Sequence, residues 1–216
     1  MSQILSDVFF FYKKNLGALL AYIIPVSLVI TTLSLFIANS FPTQDNLEHV
    51  KVLVMVNFLL NPVYLAGFIF LLSALSNNKS ISLLQCLGLG IYKWFVLFLV
   101  SILYGVLTGL GLFLFFIPGV WIFLRLILAP FLVVLNGLTP MEAISESFRL
   151  TEKEFWNIAG TTILIFSTII LLQQSIISFL PDTSIVTVVV SVVGDIFWSI
   201  LTILWFRFYD LLKNGN

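Results

Sequence analysis

The sequence predicts an all-α polytopic membrane protein with six transmembrane helices in three hairpins, each preceded by a short interfacial helix. The first observation is a set of uncharged windows over residues 15–44, 52–78, 94–124 and 155–181. About 20 apolar residues in a helix cross a hydrocarbon core, so each window can hold a span. The second observation is composition, because 60% of the 216 residues are hydrophobic and only 9% are charged. A soluble domain carries roughly a quarter charged residues, so lipid is the expected solvent for most of this surface.

The spans are placed by these windows and by the residues that interrupt them. Ile117, Pro118 and Gly119 separate the third span from the fourth, because proline lacks an amide donor and glycine tolerates a sharp turn. We therefore expect two crossings joined by a tight hairpin at Pro118 and Gly119. The six expected spans cover residues 17–38, 52–75, 95–116, 120–136, 158–180 and 184–209.

The basic residues predict the orientation. With a cytoplasmic N-terminus, the inner segments hold eight of the ten basic residues, the outer loops hold only Lys51, and Arg125 lies within a span. The eight are Lys13, Lys14, Lys79, Lys93, Arg149, Lys153, Arg207 and Lys213. Cytoplasmic loops of membrane proteins carry this excess, so both termini are expected in the cytoplasm. Trp121 is then expected near the outer interface and Trp156 near the inner one.

Three expected cytoplasmic segments share one order of elements. Each is a short helical stretch with a basic and aromatic cluster, followed by two spans, which indicates one integral membrane domain with units of about 1–78, 79–138 and 139–216. The third copy begins with Thr139, Pro140 and Glu142 in the order of a capping box. This helix is expected in the inner interface, either as an elbow between hairpins or as a surface for a partner or lipid.

Two ionisable residues are expected inside the membrane. Arg125 lies about 9 Å below the outer end of its span and Asp195 about 16 Å down the last span, at 1.5 Å per residue. A charge at such depth costs at least a few kcal/mol unless it is paired or wetted, so the sequence predicts a polar layer in the outer half of the bundle. The amide side chains expected in this layer are Asn57, Asn61, Gln173 and Gln174. Two roles stay open: a buried Arg125–Asp195 pair that fixes helix rotation, or a site where Arg125 holds a phosphate or carboxylate.

The sequence contains no recognisable catalytic or metal-binding constellation. Cys86 is the only cysteine and His49 the only histidine, so neither a disulfide nor a metal-ligand spacing is present. Asp195 and Asp210 lie on one helix about 22 Å apart and cannot share a proton as aspartic-protease carboxylates do. A non-enzymatic protein without cofactor or metal is expected, and the neutral charge balance argues against a nucleic-acid partner.

Small residues recur every four positions on the third span at Ser101, Gly105 and Gly109. Such a stripe allows close helix approach, either within the monomer or at a homo-oligomer seam.

One stretch of the chain is similar to a known family. The segment from Phe116 through Pro118, Gly119, Arg125 and Pro130, followed by the run from Thr139 to Trp156, resembles the YciC-like family of bacterial inner-membrane proteins. Wider relatives of that family include the membrane portion of some glycerophosphodiester phosphodiesterases. The resemblance implies a bacterial inner-membrane protein loosely associated with envelope and lipid functions, and it implies no phosphodiesterase activity. The positions that it singles out are Pro118, Gly119, Arg125, Glu142, Ala143, Ser147 and Trp156.

Three functions are compatible with these features. The first is binding or handling of a lipid or other amphiphile in envelope maintenance, with Arg125 contacting an anionic headgroup and Asp195 tuning that arginine. The second is an accessory or scaffold protein for envelope machinery that docks partners on residues 82–93 and 139–153. The third is a small-solute transporter, for which Pro25, Pro62 and Pro130 could break spans, although no paired discontinuous helices are evident.

Overall fold

A computed structural model describes residues 2–40, 46–179 and 184–214, and all regular secondary structure in these ranges is helical. The side chain of His49 lies outside the described residues, and so does the sequence-based expectation for it. The helices are α1 (Ser2–Lys14), α2 (Leu16–Ser40), α3 (Asn46–Ser76), α4 (Leu83–Leu114), α5 (Phe116–Leu126), α6 (Ala129–Asn136), α7 (Pro140–Thr151), α8 (Phe155–Ser178) and α9 (Ser184–Asn214).

Six segments of the described chain are long and apolar enough to cross a membrane, as the uncharged windows predicted. Five are single helices, and the fourth is built from α5 and α6 together. Pro25 and Pro62 lie inside continuous helices. The fold class is therefore confirmed as an all-helical polytopic membrane protein.

The interfacial helices agree with the sequence prediction at two places of three. α1 and α7 are separate short helices, and α7 begins with the expected capping box of Thr139 and Glu142. The prediction of a second separate interfacial helix over residues 82–93 is wrong, because that segment is the first part of the continuous helix α4. Ser82 and Gln85 form a capping box, and because no proline follows it the helix runs on to Leu114.

Glycines permit close backbone approach between α3 and α4. A Cβ atom built on Gly90 would lie 2.5 Å from the carbonyl oxygen of Val63, and one on Gly67 would lie 2.9 Å from that of Cys86. Real Cβ atoms do not approach so closely, so only glycine fits at these contacts. The indole N–H of Trp94 also donates a hydrogen bond from α4 to the carbonyl of Leu59 on α3 at 2.7 Å.

The α4–α5 hairpin turns at Phe115, so the expected turn at Pro118 and Gly119 is wrong in position, because both residues already belong to α5. A Cβ atom on Gly119 would lie 2.6 Å from the amide nitrogen of Leu112, and one on Gly111 would lie 2.8 Å from the Cα of Gly119. Pro118 lies within the first turn of α5, where its missing amide costs little. The two helices therefore pack backbone to backbone just after the turn.

The core joins the ends of the chain. α1 and α2 pack against α9, so the first and last units are in direct contact. Fully buried side chains at their junction include Leu19, Ile23, Leu201 and Leu204. Where α2, α3, α8 and α9 diverge, this packing leaves open space, and the candidate site lies there.

Candidate functional site

A polar cavity of about 420 Å³ lies between α2, α3, α8 and α9. Its polar lining combines a carboxylate, three amides and several hydroxyls, all from apolar, membrane-length helices. These side chains are Asp195, Asn57, Asn61, Gln173, Thr31, Ser34, Thr187, Ser191 and Tyr64. The structure thus brings together four of the residues that the sequence assigned to a polar layer.

Asp195 is half-buried and is held by a neighbouring helix. The Ser27 hydroxyl of α2 donates a hydrogen bond to one carboxylate oxygen, and Ser27 itself is buried. Beside it, a Cβ atom on Gly194 would lie 2.6 Å from Gln173 Nε2, so the glycine leaves room for the amide to enter the cavity. Burial of a charged group at membrane depth is costly unless it is wetted or paired, which makes the open cavity beside Asp195 the reason that the carboxylate is tolerated.

An apolar cavity of about 680 Å³ adjoins the polar one. The two cavities share Leu53, Asn57 and Asn61, so they adjoin along one face of α3, and together they are called the crevice, with a polar and an apolar part. The apolar part extends between α3, α4, α5, α6 and α9, and its lining includes Phe58, Leu65, Val100, Tyr104, Gly105, Phe123, Ile127 and Trp205.

Arg125 lies outside this crevice, and its expected proximity to Asp195 is wrong. Its guanidinium carbon lies 5.3 Å from the ring centroid of Trp121, 5.5 Å from Phe148 and 5.9 Å from Phe155. Its near neighbour Phe123 packs on Trp205, which is ten residues, or about 15 Å, along α9 from Asp195. The guanidinium is therefore held in an aromatic box beside α7.

The break between α5 and α6 explains the displacement of Arg125. The expected straight span over residues 120–136 is interrupted at residues 127 and 128, because Pro130 cannot donate to the carbonyl of Leu126. α7 packs at this break, where Ser147 Oγ donates to the Arg125 carbonyl at 2.6 Å. Trp121 also meets Phe148 of α7 with ring centroids 5.7 Å apart, so it does not lie at the interface opposite α7 as expected.

The remaining predicted residues are exposed or line the apolar cavity. Gln174 is exposed and does not line the cavity, unlike Gln173. Trp156 is 84% exposed at the start of α8. A Cβ atom on Gly105 or Gly109 would meet nothing within 4 Å. The prediction that this stripe packs closely on another helix of the described monomer is therefore wrong. Gly105 and Ser101 line the apolar cavity instead.

The hydroxyl residues of the polar cavity were not predicted from the sequence. Thr187 and Ser191 precede Asp195 at intervals of four, and Thr31 and Ser34 follow Ser27 on α2. Residues four apart share one face of a helix, so this spacing was the available signal. This spacing was not recognised as a signal, because single serines and threonines are common in membrane helices, where their hydroxyls donate to backbone carbonyls of the same helix.

Fold and crevice together define a polytopic α-helical membrane protein with an intramembrane cavity. Residues 1–211 match the model of the uncharacterised protein family UPF0259, and the chain belongs to that family.

Its similar proteins are membrane proteins of the same family. A UPF0259 membrane protein of Buchnera aphidicola subsp. Schizaphis graminum is 25% identical over 179 residues, which cover 80% of this chain and 72% of that protein. A UPF0259 membrane protein of Yersinia pestis strain Pestoides F is 30% identical over 158 residues, which cover 71% of this chain and 60% of that protein. The match therefore spans less than two thirds of the Yersinia protein. No solved structure matches the chain.

Proposed function

We propose that this chain is a non-enzymatic bacterial inner-membrane protein, with both termini in the cytoplasm, that binds an amphiphile in the crevice. The observation that carries the proposal is the adjacency of a polar cavity and an apolar one, which share Asn57 and Asn61 in their linings. A lipid needs both environments at once, because its head must hydrogen-bond while its chains must avoid water. The polar part of about 420 Å³ receives the head and the apolar part of about 680 Å³ receives the chain.

The aromatic and aliphatic lining of the apolar part supports this assignment. Phe58, Tyr104 and Trp205 present ring surface, and no charged side chain lines this cavity within the described residues. An acyl chain that moves here from the bilayer leaves no water behind, so its binding would be stabilised by van der Waals contacts with these rings and aliphatic side chains. Handling of such a molecule in envelope maintenance, which the YciC-like resemblance implies, is part of the same proposal.

The transporter alternative has less support from the helices. Binding sites of many transporters are formed by paired broken helices, whereas α2 and α3 continue through Pro25 and Pro62. Only the fourth span of the described chain is interrupted, between α5 and α6.

Gly105 offers a direct test of the apolar cavity. Gly105→Leu would place a side chain in the cavity, because a Cβ atom there meets nothing within 4 Å. A leucine that occupies part of the space of a bound chain should cost about 1–3 kcal/mol, as overpacking does, and so lower phospholipid retention roughly tenfold. The measurement is native mass spectrometry of the purified protein in mild detergent, after addition of phosphatidylethanolamine and phosphatidylglycerol with identical acyl chains.

Gly109→Leu is the matched control. Gly109 lies one turn further along α4 and is equally open, but it lines neither cavity. It should retain phospholipid as the unmodified protein does. Equal retention by both variants would contradict binding in the crevice.

A further inference from the structure

We infer that the amphiphile bound in the crevice carries an ammonium group, which Asp195 recognises in the polar cavity. This inference rests on the proposed function and adds the chemical class of the head. It replaces the sequence-based expectation of an anionic head, because that expectation depended on Arg125 and the structure places Arg125 elsewhere.

The formal charge of the crevice is negative. Asp195 is the charged side chain that lines it, and no lysine or arginine lines either cavity within the described residues. A phosphate group without an amine would meet a carboxylate and no cation there, which costs Coulomb energy in a low-dielectric environment. An ammonium group would instead form a charge-assisted hydrogen bond with Asp195.

Two hydroxyl groups of the cavity, those of Ser34 and Ser191, have already used their donors. Ser34 Oγ donates to the carbonyl of Ile30 at 2.7 Å, and Ser191 Oγ donates to that of Thr187 at 2.9 Å. A hydroxyl has one donor and two acceptor lone pairs, so each of these oxygens is left to accept.

The amide of Asn57 also offers an acceptor. Its Nδ2 donates one hydrogen to the carbonyl of Leu53 at 2.9 Å, and its Oδ1 is left to accept. Asn57, Ser34, Ser191 and Asp195 therefore present acceptors to a ligand head that brings N–H donors.

Asp195 has capacity for such a ligand. Ser27 donates to one carboxylate oxygen of Asp195. The other oxygen accepts no hydrogen bond from the described residues and is not fully buried. An ionised carboxylate offers about four lone-pair sites, so most of its accepting capacity faces the cavity. Asp210, by comparison, accepts from Ser76 at 3.2 Å and lies 3.9 Å from Arg207.

A metal ion fits this site less well than an organic ammonium ion. No cluster of three or more histidine, cysteine, aspartate or glutamate side chains that could hold a metal occurs among the described residues. The adjoining apolar cavity gives an organic cation a place for its chain, which a metal ion does not need.

The test compares two phospholipids that differ only in the head. Phosphatidylethanolamine carries an ammonium group and phosphatidylglycerol carries hydroxyls, and both are added with the same acyl chains in equal amounts. Native mass spectrometry should show a roughly tenfold preference for phosphatidylethanolamine, as expected for one charge-assisted hydrogen bond. Asp195→Asn should reduce that preference to near unity while total bound phospholipid falls little, because the acyl chain keeps its cavity.

Asp210→Asn is the control, because it removes a second half-buried carboxylate from the same helix and should keep the preference. Equal retention of the two lipids by the unmodified protein, with Gly105→Leu still impaired, would overturn the ammonium inference and leave amphiphile binding standing. A preference for phosphatidylglycerol that Arg125→Gln abolishes would overturn it in favour of the aromatic box at Arg125. Retention that Gly105→Leu leaves unchanged would overturn the proposed function itself.

Discussion

Single residues show how the bundle accommodates polar atoms at membrane depth. Asp195 has one hydroxyl partner and an open cavity, whereas Asp210 is surrounded by Ser76 and Arg207. An intramembrane carboxylate that lacks a basic partner is costly, and such residues usually mark functional sites. On this contrast we propose Asp195 as a binding residue and Asp210 as a structural one in α9.

Gly119 gives a stability prediction at the same scale. Gly119→Ala would force a Cβ atom to within 2.6 Å of the Leu112 amide nitrogen and should destabilise the protein by about 1–3 kcal/mol, the usual cost of overpacking. Thermal unfolding in detergent, followed by tryptophan fluorescence, measures the loss. Gly109→Ala, at an open position of α4, should leave the melting temperature unchanged or slightly higher, and equal melting of the two variants would contradict the close α4–α5 contact.

Helices and their ends explain where sequence reasoning succeeded and where it failed. Thr139 and Glu142 were predictable because a capping box is local, with its partners three residues apart. The position of Arg125 was not predictable, because it depends on a break after Leu126 and on Ser147 of another helix binding the Arg125 carbonyl. Such a contact joins residues 22 positions apart, and no periodicity records it.

The capping box of α7 predicts a pH dependence of that helix end. The Thr139 backbone N–H donates to the Glu142 carboxylate at 2.9 Å and holds the pKa of Glu142 below its ordinary value of 4.5. A lowered folded-state pKa means that the stabilisation is fully present above pH 4.5 and is lost as the pH falls through the lower folded value. Hydrogen exchange at the Thr139 amide, corrected for its intrinsic rate, should therefore show protection that declines only in that acid range.

Glu142→Gln keeps an acceptor at this position and removes the titration, so its protection should not change with pH. Glu146, which Arg149 also holds at a lowered pKa, stays in both proteins and cancels in the comparison. The same acid decline in Glu142→Gln would contradict the assignment to the capping box.

At the scale of the whole molecule, the uncharged windows predicted the six spans and little of the space between them. A segment crosses the membrane because its own residues are apolar over the thickness of the lipid core, so each span can be predicted from its own sequence alone. The crevice depends on how α2, α3, α8 and α9 diverge, which is a property of tilts and crossings set by many weak contacts. Asn57, Asn61, Gln173 and Asp195 were recognised as polar, but the apolar cavity beside them was not foreseen, because its residues look like any lipid-facing side chains.

The central claim is that one amphiphile occupies both parts of the crevice, and an experimental structure in lipid nanodiscs at high resolution tests it most directly. The account predicts one continuous, elongated density that begins beside Asp195, passes Asn61 and ends among Phe58, Tyr104 and Trp205. A crevice that holds only water, or lipid density confined to the aromatic box at Arg125, would contradict it.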